Sequence, residues 1–266
     1  MKAEIGALFG AAAYFLAIMP GWKHRRIQSD TVYYAHRGLH DNHSDAPENT
    51  LLAFERACEM GYGIEMDLQL TKDGQVVVFH DFALKRICSV EGQVSDYTYQ
   101  ELQKFPVCGT KQRIPLFRDV LKLVNGRVPL IIELKYKDFN NQICVEADKF
   151  LREYQGAYCI ESFQPWALIW YRRHRPEICR GQLSMNFQRQ EGHYGPDKLV
   201  VRHLLTNFLT RPDFIAYDLR DKEAVSKNLC RRLFGCPSVA WTVRSRQQLE
   251  RCRPYYDSFI FEGFMP

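Results

Sequence analysis

Residues 63–81 read GIEMDLQLTKDGQVVVFHD. Ile64, Met66 and Leu68 alternate with Glu65 and Asp67. In an extended strand alternate side chains leave opposite faces, so the two acids share one face and the apolar residues the other. Thr71-Lys72-Asp73-Gly74 is turn chemistry, and an apolar run, Val76 to Phe79, resumes at once. A parallel neighbour needs a crossover of about a dozen residues, for which there is no room, so residues 76–79 are the return arm of a hairpin. That return carries His80 back towards Glu65 and Asp67.

Outward from this hairpin, apolar β-rich runs alternate with amphipathic stretches. Strand-like runs cover 32–36, 63–68, 76–80, 130–134, 158–163, 179–183, 214–218, 239–243 and 258–262. Helix-like stretches cover 50–60, 98–104, 116–124, 142–154, 165–174, 198–209, 221–234 and 245–252. Such alternation predicts an α/β fold with a parallel sheet. With the hairpin return set aside, eight parallel strands remain, which predicts a (β/α)8 TIM-type barrel over residues 32–266. Residues 82–128 form a longer excursion, expected as a small insertion or lid beside the site.

The chain has 266 residues, enough for one large domain. Its 46% apolar and 25% charged composition excludes a disordered or fibrous chain. The net charge of +5 comes from scattered basic residues. A nucleic-acid binder needs a basic stripe or a reading motif, and the sequence has neither. The nine cysteines are odd in number, lack any CxxC pair and sit in apolar segments, which reads as reduced core thiols in a reducing compartment.

Residues 5–19 are apolar throughout and are followed by Pro20, Gly21 and Trp22. With Trp22 as an interfacial anchor, residues 1–22 make a short membrane-anchor helix. The rival readings are a cleaved signal, for which residues 17–20 are a poor cleavage site, and a packed helix. Lys23, His24, Arg25 and Arg26 follow in a linker, residues 23–31. A basic flank stays in the cytoplasm, so the expectation is a single-pass protein of the cell membrane with a cytoplasmic catalytic domain.

Glu65 and Asp67 are expected to point into the barrel near its C-terminal mouth, because Ile64, Met66 and Leu68 must face the helices. Glu133, between Ile132 and Leu134, repeats the pattern, with Lys135 on the same face. Inward carboxylates repel one another unless a cation lies between them, and an all-oxygen set favours a hard divalent cation, calcium or magnesium. His36 and His80 each end an apolar run, and at one mouth they are suited to act as general acid and general base. Arg37 forks onto phosphate oxygens and Lys135 adds a point charge. Gly38 is expected to let the backbone pass close to the ligand. The ensemble suits phosphodiester cleavage. In Pro47-Glu48-Asn49-Thr50, Pro47 is placed at the first helical position with Ser44 or Asp45 as the cap, and Glu48 and Asn49 behind the site. Phe163 and Trp241 are expected either in the core or along the pocket.

Taken together, HRG, PENTLLAF, IEMDLQLTKDGQVVVFHD, IPLFRDVL, LIIELK, IESF, AWTV and FIFEGF, running over residues 33–264, resemble the glycerophosphodiester phosphodiesterase family of phospholipase-C-like barrels. The resemblance implies His36 and His80 as the acid–base pair and Glu65, Asp67 and Glu133 as metal ligands. It also implies phosphate contacts from Arg37 and Lys135. The implied products are sn-glycerol 3-phosphate and an alcohol, formed through a cyclic phosphate. Residues 83–88, ALKRIC, replace the family's frequent TLxRxT, and this loop is expected to touch the leaving group. Two other readings stand beside this one. The first is lysophospholipase-D-type hydrolysis of membrane lysolipids, with residues 199, 200, 204, 205 and 208 as a surface-dipping helix face. The second is a non-catalytic, membrane-tethered binding module.

Overall fold

The structure is a computed structural model and describes residues 2–22, 33–136, 140–192 and 195–266; the linker expected at 23–31 and residue 32 lie outside these. Nine strands are formed: β1 (Tyr33–His36), β2 (Gly63–Leu70), β3 (Val76–Val78), β4 (Leu130–Leu134), β5 (Tyr158–Ser162), β6 (Arg180–Ser184), β7 (Phe214–Asp218), β8 (Ser238–Val243) and β9 (Ser258–Phe261). β3 runs antiparallel to β2 alone, with Leu68 opposite Val78. The other eight are parallel, and β1 pairs with both β2 and β9, which closes the barrel. The hairpin reading thus accounts for the ninth strand.

Two hydrophobic layers hold the barrel. Ile64, Met66, Leu68, Ile132 and Leu134 point outward into the main core under the helices. Tyr34, Ile131, Cys159, Cys179, Leu183, Phe214, Val239 and Ile260 fill the interior. All nine cysteines are free thiols.

Helix α1 (Lys2–Ile18) precedes the barrel; the outer helices include α2 (Leu51–Glu59), α3 (Phe117–Val124), α4 (Gln142–Leu151), α5 (Pro165–His174), α6 (Pro196–Arg202), α7 (Val225–Phe234) and α8 (Arg246–Cys252). α2 matches the helical stretch expected at 50–60, but Pro47 is not its first residue. Its cap is Thr50, not Ser44 or Asp45, and Thr50 Oγ1 accepts from the Ala53 N–H at 3.4 Å. Asn49 has a φ of 55°, which no helix continues through, so Pro47 lies in the preceding loop. The stretch 198–209 is not one helix either. Leu204, at φ 58°, ends α6, and a separate turn follows at Asn207–Thr210. Leu204 is fully buried, so the expected surface-dipping face is not continuous.

The excursion after β3 has its own small core of Leu84, Ile87, Val94, Leu102, Val107, Ile114 and Leu116. α3 buries Phe117, Val120, Leu121 and Val124 in the main core and serves as a barrel helix.

The expected spanning anchor takes a different form. α1 is 17 residues long, and no helix among the described residues is long and apolar enough to cross a membrane. At 1.5 Å per residue it reaches about 25 Å, short of a hydrocarbon core of about 30 Å. Its last turn is docked instead: Ile18 is fully buried, and its carbonyl accepts from Asn207 Nδ2 at 2.9 Å and Cys230 Sγ at 3.3 Å. The Gly21 N–H then donates to the Pro212 carbonyl at 3.0 Å.

Lys227 on α7 is fully buried, donates to the Lys222 carbonyl at 2.6 Å and lies 4.0 Å from the Tyr256 ring centre. Burial, helped by the charge of Arg231, lowers its pKa to about 7. Between pH 7 and about 10.5 the unfolded chain therefore binds more protons here, and this site's contribution to stability rises with pH. Thermal melts from pH 7 to 9.5 are expected to show Lys227→Met gaining less with pH than wild type; parallel curves would refute the assignment.

Candidate active site

The barrel mouth collects the residues singled out in the sequence. Glu65 and Asp67 on β2 and Glu133 on β4 are buried, and Asp67 is in register with Glu133. One carboxylate oxygen from each lies within 4.8 Å of the other two. This set of hard, buried oxygen donors fits a calcium- or magnesium-type cation.

The three acids are not equivalent. Burial, reinforced by the charges of Asp67, Glu161 and Glu133, drives the Glu65 carboxyl well above its ordinary range. Burial also pushes on Asp67, but Lys135, His80 and Arg37 outweigh it, and Asp67 is held well below its usual value. Asn49 Nδ2 donates to Asp67 Oδ2 at 2.9 Å, the role expected behind the site. Lys135 Nζ bridges Asp67 at 3.0 Å and Glu133 at 2.9 Å. Burial raises Glu133 in spite of Lys135.

Arg37 is fixed before any ligand arrives. Its Nη1 donates to Glu48 Oε1 at 2.6 Å, its Nε stands 3.7 Å from Asp67, and its backbone N–H donates to Glu65 at 3.1 Å. Glu48 also accepts from Arg86 at 2.7 and 2.8 Å. Burial opposes ionisation of Glu48, but Arg86 and Arg37 bring it down to about 2. Within the ALKRIC segment, Arg86 thus serves the frame of the site: it joins Glu48 to Asp81, while Leu84, Ile87 and Cys88 are buried. Gly38 has a different reason from the expected ligand approach. At φ 83°, a Cβ there would meet the Ala53 backbone at 2.9 Å, so glycine is needed where β1 turns under α2.

Both histidines are oriented by carboxylates. His36 Nδ1 donates to Glu262, which leaves Nε2 towards Glu65 at 3.8 Å. Burial and the charge of Arg37 lower the His36 pKa to about 4. His80 Nδ1 donates to Asp81 at 2.5 Å. Gln69 at the end of β2 donates to the carbonyls of Phe79 at 2.8 Å and Asp81 at 2.7 Å, which pins the His80 segment over the mouth. A carboxylate on Nδ1 presents Nε2 for proton transfer.

A cavity of about 220 Å³ brings His36, Arg37, Glu65, His80, Glu133 and Lys135 together. Its other wall is apolar: Phe163 and Trp241 meet edge-to-face at 5.6 Å beside Leu183 and Ile260. Phe163 and Trp241 therefore line the pocket.

The chain has relatives among known proteins. The model of the glycerophosphoryl diester phosphodiesterase family matches residues 36–256, most of the chain. The chain belongs to the glycerophosphoryl diester phosphodiesterase family. It is an enzyme of that class, a phosphoric diester hydrolase. A glycerophosphodiester phosphodiesterase of Caldanaerobacter subterraneus subsp. tengcongensis is 31% identical over 236 residues, covering 83% of this chain and 89% of that protein. The lysophospholipase D GDPD1 of Rattus norvegicus is 32% identical over 158 residues, covering 54% of this chain and 48% of that one. Among solved structures, an Oleispira antarctica phosphodiesterase in complex with the product sn-glycerol-3-phosphate shares the fold, with a TM-score of 0.70 at 21% identity, over 86% of this chain and 92% of that one.

Sequence reasoning passed over several members of this phosphodiesterase site. Glu262 directly follows β9 in FIFEGF, and only barrel closure sets it against His36. The Asp81 partnership needed the local fold of the HD pair. Glu161 was legible: it has the same parity as Phe163 and stands in register with Glu133, in a strand read correctly.

Proposed function

We propose that this phosphodiesterase hydrolyses glycerophosphodiesters to sn-glycerol 3-phosphate and an alcohol, with His36 and His80 as the acid–base pair and a divalent cation held by Glu65, Asp67 and Glu133. The observation that carries this reading is the convergence of two carboxylate-oriented imidazoles, Arg37 and Lys135 on one cavity, at a cluster of three buried acids, Glu65, Asp67 and Glu133. When bound, the cation supplies positive charge to the phosphate oxygens. Arg37 and Lys135 hold the same oxygens, and neither needs to reorganise because Glu48 and Asp67 already fix them. In the first half-reaction the glycerol hydroxyl next to the ester attacks phosphorus. One imidazole takes its proton and the other protonates the departing alcohol, leaving a cyclic phosphate. In the second half-reaction water opens the ring and the two imidazoles exchange roles.

The test is release of glycerol 3-phosphate from glycerophosphocholine by the full chain, because Ile18 is part of the core and truncation beyond it would open that packing. Release in calcium or magnesium that stops with a chelator is the expected result. Silence with both cations would remove the soluble-diester reading.

One observation favours a second reading, action on lysolipids at a membrane. Tyr14 lies against Ser226 at the start of α7, and Ile18 lies one turn further along, at Cys230. α1 therefore runs from the mouth end of the barrel to its base, and its earlier turns, with Leu8 and Phe9 exposed, project on the side of the catalytic mouth. On this reading α1 attaches the enzyme to a cytoplasmic membrane face without spanning it. Lysolipid in vesicles would then be turned over faster than glycerophosphocholine; equal or slower turnover would reject it.

A further inference from the structure

Two acids of the catalytic cavity are left without work by the reaction above, and while Asp218 is paired with Arg220, Glu161 has no such partner among the described residues. It is 1% exposed, it lines the same cavity as Glu65, Glu133 and Lys135, and its Oε2 has no hydrogen-bond partner among the described residues. Its neighbours are all engaged: Asp67 by Asn49 and Lys135, Glu133 by Lys135, Glu65 by the Arg37 N–H. A buried carboxylate without a counter-group is costly, and such groups persist where they are paired or meet a metal.

Register gives the nature of the missing partner. Asp67 is level with Glu133, and Glu133 with Glu161, so the three stand side by side on adjacent inward-facing strands. Neighbouring strands are about 4.8 Å apart. A calcium–oxygen bond is about 2.4 Å, and a hydrogen bond from a bound water adds about 2.8 Å. One strand spacing therefore suits either a direct bond from Glu161 or a link through a single water.

We propose that Glu161 is a fourth carboxylate of the divalent-cation site, and that it makes this enzyme prefer calcium to magnesium. The inference rests on the metal reading above and extends it. Calcium accepts six to eight oxygens in flexible geometry, so an added carboxylate is readily taken up; magnesium demands a tight octahedron and keeps its waters. Charge agrees. Of the cations around this cavity, Arg220 pairs with Asp218 and Arg244 with Glu262, which leaves Arg37 and Lys135 to face Glu65, Asp67, Glu133 and Glu161, a deficit that one divalent ion balances.

The experiment is calorimetric titration of the metal-free full chain with calcium and with magnesium, in wild type, Glu161→Gln and Glu161→Asp, without substrate. Glu161→Gln is expected to weaken calcium binding by about 10–100-fold and magnesium binding far less, so the preference collapses. Glu161→Asp keeps the charge and is expected to fall between. The metal-free Glu161→Gln protein is expected to melt no lower than wild type, because an uncompensated carboxylate has gone. Wild-type calcium affinity in Glu161→Gln would overturn the proposal and leave the three-acid site standing. Failure of wild type to bind either ion would overturn both. A folded Glu161→Asp that binds calcium no better than Glu161→Gln would also count against a ligand role.

Discussion

Replacing His36 or His80 with alanine is expected to lower kcat by about 10²–10⁴-fold, the usual contribution of a positioned acid or base. Each imidazole sits at the cavity with one nitrogen committed to a carboxylate, Glu262 for His36 and Asp81 for His80, so each loss removes a proton carrier while its partner acid keeps an arginine, Arg244 or Arg86. Both variants should fold, since neither ring belongs to a hydrophobic core cluster. The His36 variant should still bind the cation, because the acids on β2 and β4 are untouched. Steady-state kinetics on glycerophosphocholine, with calcium binding measured in parallel, checks this. A variant that keeps a tenth or more of wild-type kcat would exclude that histidine from proton transfer.

The second large effect is an opposition between two acids one strand pleat apart. Both Glu65→Gln and Asp67→Asn are expected to abolish tight cation binding and, with it, activity. Without metal they should move stability in opposite directions. Asp67 is held ionised by Lys135 and Arg37, so its loss takes one carboxylate from two buried cations that keep only Glu133 and Glu48, at a cost of roughly 1–3 kcal/mol. Glu65 is pushed up by burial and by the charge of Asp67. Its folded pKa lies above its unfolded one, so the folded state binds the extra proton, and stability is lost as pH rises above the ordinary glutamate range near 4.5. Glu65→Gln removes that loss and should raise the metal-free melting temperature at pH 7. Thermal melts with and without calcium separate the cases. Destabilisation by both substitutions would refute the division of charge drawn from the geometry.

The degree to which the site was readable follows from where each residue stands. Glu65, Asp67 and Glu133 lie within single strands and Lys135 directly follows one, where strict alternation fixes which face a side chain takes, so local sequence was sufficient. The same alternation was available for Glu161. The N-terminal segment was readable as a helix but not in its destination, because apolarity is common to a lipid-facing helix and to one whose end is packed against Asn207 and Cys230. Helix starts slipped for a related reason. Pro47 is compatible with a first turn, but the left-handed backbone at Asn49 rules the helix out upstream of Thr50.

By itself, then, the sequence determined the alternation of strands and helices, the hairpin that reduces nine strands to eight, and the inward direction of the acids. These follow from steric periodicity and chain-length limits that act over a few residues. The tertiary structure alone decided the pairs that close the site: Glu262 on His36, Glu48 and Arg86 around Arg37, and Glu161 beside Glu133. These residues are distant in sequence or lie on separate strands. Only barrel closure, driven by burial of the apolar faces, sets their distances and raises or lowers their charges.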